Sequence, residues 1–279
     1  DTNHEEGPET HSSMRWERLC TLYNAVALES YLVIHEGSNK DKAGWTQSMR
    51  RLQSAYATLD YLKQLVSTTI QNNNGNGYLT LDLHPSTMEF IEALLKAQGQ
   101  VCGLHMALHG NTTTTSTSFS MLAKLAIGVS ESYKKALTAI QQDSLLRKRF
   151  PQYYSTHCKT QTMYFKMLGE YYECQALRVQ SKWGHEIGRL QSLVPICKAT
   201  LSFLQSIPST QAPSMLKNAT YIQTLVLQRL NTIVHENNTI YHEDIVTNNT
   251  DVPPVFLIKT VPKLDSTITT PKKALPSLK

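Results

Sequence analysis

The sequence lacks any apolar run approaching the roughly 20 residues of a membrane-spanning helix, and its first residues, DTNHEEGPET, are polar and acidic. The first absence excludes a helical membrane anchor within these 279 residues. From the second, no secretory leader is expected at this start. Because residue 1 is Asp rather than Met, we expect a fragment whose own N-terminus lies upstream. Closely spaced cysteine pairs are also missing. Cys20, Cys102, Cys158, Cys174 and Cys197 are odd in number and far apart, which argues against a disulfide framework or a zinc ribbon. They read as reduced core residues of an intracellular protein, where the Asn-x-Thr triplets at Asn111, Asn218, Asn237 and Asn248 never meet the glycosylation machinery.

Catalytic signatures are equally scarce. There is no phosphate-cradling glycine loop and no GxSxG elbow. His105 and His109 have the i, i+4 spacing of metal ligands, but Met106 stands where a zinc peptidase needs Glu. His157-Cys158 with Glu170 and Glu173 is the one group that could be drawn as catalytic, and such pairings are common on helical surfaces. No enzyme activity, metal or cofactor is expected. Concentrated charge is lacking too. The net charge is +5, and apart from Arg147-Lys148-Arg149 and the tail the basic residues are scattered. Nucleic acid is therefore not indicated as a partner. A weak pull toward an anionic membrane surface stays open, worth about 1 kcal/mol per well-placed basic residue.

What is present is helical periodicity. Apolar residues recur at three- and four-residue steps over 14–36 (Trp16, Leu19, Tyr23, Val26) and 41–70 (Trp45, Met49, Leu52, Leu59, Val66). The same spacing marks a helix from Pro85-Ser86 to Gly110 (Met88, Ile91, Leu95, Cys102), with Asp82 or Ser86 as its cap. Further helices cover 119–142 and run onward from Pro151, and the last spans 215–235 (Ala219, Ile222, Val226, Ile233). QNNNGNG at 71–77 and the low-complexity NTTTTSTS at 111–118 read as loops.

The stretch 164–204 reads as two antiparallel helices meeting at Trp183-Gly184, with Gly184 supplying the left-handed turn. Met167, Tyr171, Cys174 and Leu177 line the first helix; Ile187, Leu190, Val194, Cys197, Leu201 and Leu204 line the second. Glu186 near its start suits the helix dipole, and Pro195 must kink it. No strand pattern appears before the tail. The expectation is an all-α protein of stacked antiparallel hairpins, close to an α-solenoid. Residues 1–13 form a disordered lead-in, 14–262 the helical domain and 263–279 a flexible tail. Tyr241 and Pro253-Pro254 are expected in an extended segment running back along the helices, since proline forbids helix there.

On the fourth helix, at 100° per residue, Leu122, Val129, Tyr133, Ala136 and Ile140 form the core stripe, while Met121 and Leu125 project to one side with Gly128 and Ser132. Two readings of that pair stand. They are the floor of an exposed groove for a partner helix, or they pack on a neighbouring hairpin.

Six segments in order, LYNAVALES (22–30), MRRLQSAYATLDYLKQ (49–64), LLKAQGQV (94–101), MLAKLAIGVSESYKKAL (121–137), GEYYECQALRVQSKWGHEIGRLQ (169–191) and NNTIYHEDIVTNNTDVPPVFLIKTVP (237–262), resemble the Bro domain of the Alix/PalA family of endosomal scaffold proteins. The family's domain usually begins further upstream, and its Arg-Val-Pro after the aromatic element is here replaced by Asp244-Ile245-Val246.

The resemblance implies an elongated, curved domain with tetratricopeptide-like hairpins. It also implies a partner, the C-terminal amphipathic helix of an ESCRT-III subunit of the CHMP4/Snf class, in endosomal sorting or ambient-pH signalling. A cytoplasmic protein recruited to endosomes follows. The competing expectation is a membrane- or small-GTPase-associated adaptor on the same fold. By the resemblance, Met121 and Leu125 take the two aliphatic groove positions. The aromatic wall falls on Gly103 and the basic rim on Thr46.

Overall fold

The computed structural model describes residues 14–35, 41–72, 80–110, 115–208 and 210–257. The expected disordered lead-in 1–13, the helix stop at Gly37, most of the 71–77 loop, the Asn111 triplet and the tail 263–279 lie outside the described residues. Eight α-helices are described: α1 (Met14–His35), α2 (Lys42–Asn72), α3 (Pro85–Gly110), α4 (Ser116–Gln142), α5 (Ser144–Arg149), α6 (Gln152–Val179), α7 (Trp183–Ser206) and α8 (Pro213–Glu236). A single 3-10 turn, Leu81–Leu83, precedes α3, and a π-type turn, Asn237–Tyr241, follows α8. Among the described residues there is no strand, so the all-α expectation stands.

The long helices pack in succession, α1 on α2, α2 on α3, α3 on α4, α4 on α6, α6 on α7 and α7 on α8. This is the layout of a solenoid of hairpins, in which each layer covers the apolar face that its neighbour cannot bury alone. α3 is the hinge of the arrangement because it carries two apolar faces. Met88, Leu95 and Cys102 face the core shared with α1 and α2. Phe90, Ala97 and Leu104, also seven apart, face the larger core that continues through α8. The sequence stripe through Met88 and Leu95 is only the first of these.

Several boundaries differ from the periodicity reading, each for a local reason. α4 begins at Ser116, inside the expected 111–118 loop, because the Thr115 hydroxyl caps it by accepting from the Ser118 N–H at 3.2 Å. α3 is capped by neither Asp82 nor Ser86. The His84 Nδ1 accepts from the Ser86 N–H at 3.4 Å, and the Ser86 hydroxyl instead donates to Asp143. Asp143 also caps α5 by accepting from the Leu146 N–H, which ends α4 and starts the next helix at one residue. Pro195 lies inside a continuous α7, on its exposed side. There water can serve the Gln191 carbonyl that lacks its helical donor.

The turn between α6 and α7 is not made by Gly184. Ser181 adopts the left-handed conformation, φ 55°, and the Ser181 and Lys182 N–H groups donate back to the Arg178 and Leu177 carbonyls. Gly184 is buried in the first turn of α7. Its missing side chain serves a close approach by Asp244. Ile187 and Leu190 are fully buried in the hairpin core, as expected, while Tyr171 and Leu177 are half-buried.

A candidate helix-binding face on α4 and the segment that crosses it

Glu186, placed by sequence as a helix-dipole residue, is 1% exposed and belongs to a buried ion pair. Arg229 of α8 donates to both its carboxylate oxygens, Nε at 2.8 Å and Nη2 at 2.9 Å, and also reaches Glu236. Such a fork matches the carboxylate and needs no water to complete it. The Arg229 guanidinium lies against the Trp183 ring, and Trp183 stacks on Tyr241 at 4.7 Å between centroids. Tyr241 thus closes the π-type turn rather than lying in the extended segment.

The extended segment begins at His242, whose left-handed φ of 53° turns the chain out of that helix end. The Asn237 side chain then grips Glu243 through both its backbone groups, at 2.9 and 3.0 Å. The Glu243 carboxylate in turn accepts from the Gly184 N–H at 2.7 Å, which places an anion at the N-terminus of α7, where the helix dipole favours it. From there residues 244–257 run along the helices. Val246 N–H donates to the Gly184 carbonyl, and Arg189 donates to the Thr250 carbonyl at 2.7 Å. The Arg189 Nε also lies 2.9 Å from Glu170, but its N–H is not aimed at the carboxylate, so that contact is an ion pair without a hydrogen bond.

The segment then crosses α7 to reach α4 and α3. Val255 N–H donates to the Lys124 carbonyl at 3.0 Å. Gln100, 1% exposed, clamps the chain on both sides. Its Nε2 donates to the Val255 carbonyl at 2.5 Å, and its Oε1 accepts from the Leu257 N–H at 2.9 Å. The Phe256 ring lies 4.9 Å from the Lys135 ammonium.

Four glycines make this path passable. A β-carbon at Gly184 would strike the Asp244 carbonyl, at Gly188 the Val246 carbonyl, at Gly128 the Val255 carbonyl and at Gly103 the Leu257 side chain. Pro253 and Pro254 lie in this extended stretch, as the sequence reading expected.

The structure separates Met121 and Leu125. Met121 is 46% exposed on the flank of α4. Leu125, expected to be open in the free protein, is 3% exposed and part of the main core, because α4 is flanked by both α3 and α6 and a wider arc of it is covered than one stripe. Gly103 and Gly128 lie under the extended segment. Thr46 stands apart on α2, beyond α3, with its hydroxyl returned to the Lys42 carbonyl. Gln100, Val255 and Leu257 were not singled out by periodicity; a Gln buried in an apolar helix face was the available signal.

The remaining polar groups read differently. His105 stacks flat on Trp45 at 4.1 Å, and among the described residues no three His, Cys, Asp or Glu side chains gather as a metal site. Cys158 is buried, which pushes its thiol up to about 12, and burial also lowers His157. A thiol held protonated by burial is a poor nucleophile. Arg147-Lys148-Arg149 occupy the last turn of α5, where cations suit the helix dipole. No described helix is long and apolar enough to cross a membrane.

The chain matches the BRO1-like domain over residues 1–276. It belongs to the BRO1-like domain family. It is 26% identical over 254 residues to the programmed cell death 6-interacting protein of Xenopus laevis, covering 90% of this chain and 26% of that protein. It is 24% identical over 271 residues to the pH-response regulator protein RIM20 of Yarrowia lipolytica, covering 92% of this chain and 32% of that protein. It therefore spans between a quarter and a third of the length of these relatives. Among solved structures it resembles the ALIX BRO1 domain in its CHMP4C complex, with a TM-score of 0.75 at 19% identity over 92% of this chain and 66% of that one.

Proposed function

We propose that this chain is a non-catalytic scaffold that receives the C-terminal amphipathic helix of an ESCRT-III subunit of the CHMP4/Snf class on the Met121 flank of α4, in endosomal sorting or ambient-pH signalling. The observation that carries the reading is Met121, a large apolar side chain 46% exposed on the flank of α4 beside its core stripe, in a member of a family with one domain solved together with CHMP4C. Leu125 lies in the core behind this surface, Gly103 and Gly128 lie beneath the extended segment, and Thr46, on α2, takes no part in it. A partner helix would gain by covering Met121, whose remaining exposed part is worth on the order of 1 kcal/mol, about half of the value for burying a whole Met side chain. The protein acts from the cytoplasm and reaches endosomes through its partners.

The test is calorimetric titration of the C-terminal helix peptide into the wild type and Met121→Asp. A carboxylate forced against an apolar partner side chain costs several kcal/mol, enough to bring a micromolar interaction of about 8 kcal/mol below detection. Because Met121 is exposed, its melting temperature should not move. Undiminished binding by Met121→Asp refutes the site.

A further inference from the structure

We propose that residues 252–257 are a latch: they occupy the α3–α4 side of the helix-binding face in the free chain and leave it when the partner helix seats. This inference rests on the helix-binding reading and adds its regulation. Both glycines assigned to the partner face are already filled, Gly128 by the Val255 carbonyl and Gly103 by the Leu257 side chain. Val255 also takes the Lys124 carbonyl, on the turn of α4 between Met121 and Gly128. A helix laid along that turn meets this segment first.

The attachment is built to come off in part. Upstream, Glu243, Val246 and Thr250 are tied to α7, and none of those contacts involves α3 or α4. Downstream, the grip on α3 and α4 comprises two backbone bonds to Gln100, one to Lys124, the Phe256–Lys135 contact, a partly buried Val255 side chain packed on the main core and a Leu257 side chain that is still 48% exposed, with Val252 buried at the start of the arm. Pro253 and Pro254 separate the two parts and keep the freed arm extended, so little chain entropy opposes rebinding. Gln100 is the sensing residue. When the arm leaves, its buried amide loses both partners. A helix cannot replace them from its middle, where backbone N–H and C=O groups are paired. A polar side chain of the partner, or water, must do so.

Competition has a simple signature. A site that is open only one-tenth of the time binds its partner with about tenfold weaker apparent affinity. Two variants of the full chain loosen the latch without touching Met121: Leu257→Asp sets a carboxylate against the Gly103 notch, and Gln100→Met removes both backbone bonds while keeping the side-chain volume.

The experiment titrates the ESCRT-III helix peptide into the wild type and both variants, and follows hydrogen exchange at the Val255 and Leu257 amides. Tighter binding by both variants, on the order of tenfold, with faster exchange of those amides when the wild type binds, supports the latch. Weaker binding by the variants, or amides more protected in the complex, overturns it and makes the segment a wall of the site. Equal affinity in all three overturns the latch alone. Absence of binding in all three overturns the helix-binding reading and the latch with it.

Discussion

Replacing Arg229 with Ala tests the buried ion pair that joins α7, α8 and the start of the extended segment. Glu186 is 1% exposed and receives two hydrogen bonds from Arg229. Removing the guanidinium leaves a carboxylate buried without its counter-charge, which costs about 3–5 kcal/mol. For chains somewhat shorter than this one, each kcal/mol moves the melting temperature by about 2–4 °C, so the loss should be on the order of 6–20 °C. The same change removes the cation beside Trp183, and Trp183 is the surface on which Tyr241 stacks. Exchange should therefore quicken at the Glu243 and Val246 amides as well as in α8. The assay is a thermal melt by circular dichroism, with Glu186→Leu/Arg229→Met as the control. If burial of a lone charge is the cause, replacing both partners by apolar groups should recover much of the loss. A melt for Arg229→Ala within about 2 °C of the wild type, or a double variant no better than the single one, refutes the account.

Three other outcomes follow from the same contacts. Leu190→Ala, at a position 1% exposed in the α6–α7 hairpin, should cost about 2–5 kcal/mol in denaturant unfolding; an unchanged midpoint would contradict the packing. Glycine in a helix interior normally costs stability relative to Ala, but Gly188→Ala should destabilise, because the Val246 carbonyl occupies the space of the new β-carbon; a stabilised variant would mean the segment does not press there. Burial raises the Glu92 carboxyl, but hydrogen bonds from Lys63, Lys96 and Tyr56 outweigh it and hold it at about 2. A carboxyl lowered by folding contributes stability above its unfolded value, and that contribution is lost as the pH falls toward the folded one. Glu92→Gln should therefore be less stable than the wild type at neutral pH, and the gap should close between pH 5 and about 2; a gap independent of pH would show that the charge is not involved.

Repeating apolar spacing located the long helices because each buries a face, and burial follows directly from side-chain type. It was weaker wherever a residue answers to something distant in sequence. Gly184 looked like a turn former because a glycine between two helical patterns usually is one. The turn needed only one left-handed residue, and Ser181 supplied it, while Gly184 made room for Asp244, 60 residues later. Glu186 looked like a dipole residue because nothing nearby in sequence shows Arg229. Thr115 was lost in a low-complexity run although Thr before a helical pattern is an ordinary cap.

The α4 face shows the same limit most directly. A single-helix projection placed Met121 and Leu125 together, since they are four residues apart. What divides them is the number of neighbours: α3 and α6 flank α4 from two sides, Leu125 falls under that cover and Met121 does not. A projection of one helix contains no information about how many helices surround it. The extended segment was legible as non-helical from Pro253-Pro254, but its destination was not, because backbone-to-Gln100 bonds carry no sequence pattern on the segment side. The sequence features that mark such a path are on the receiving helices: glycines four apart at 184 and 188, glycines at 103 and 128, and a glutamine inside an apolar face. Together they describe a surface shaped for passing backbone, and in this chain that surface and the proposed partner face meet on α4 at Gly128.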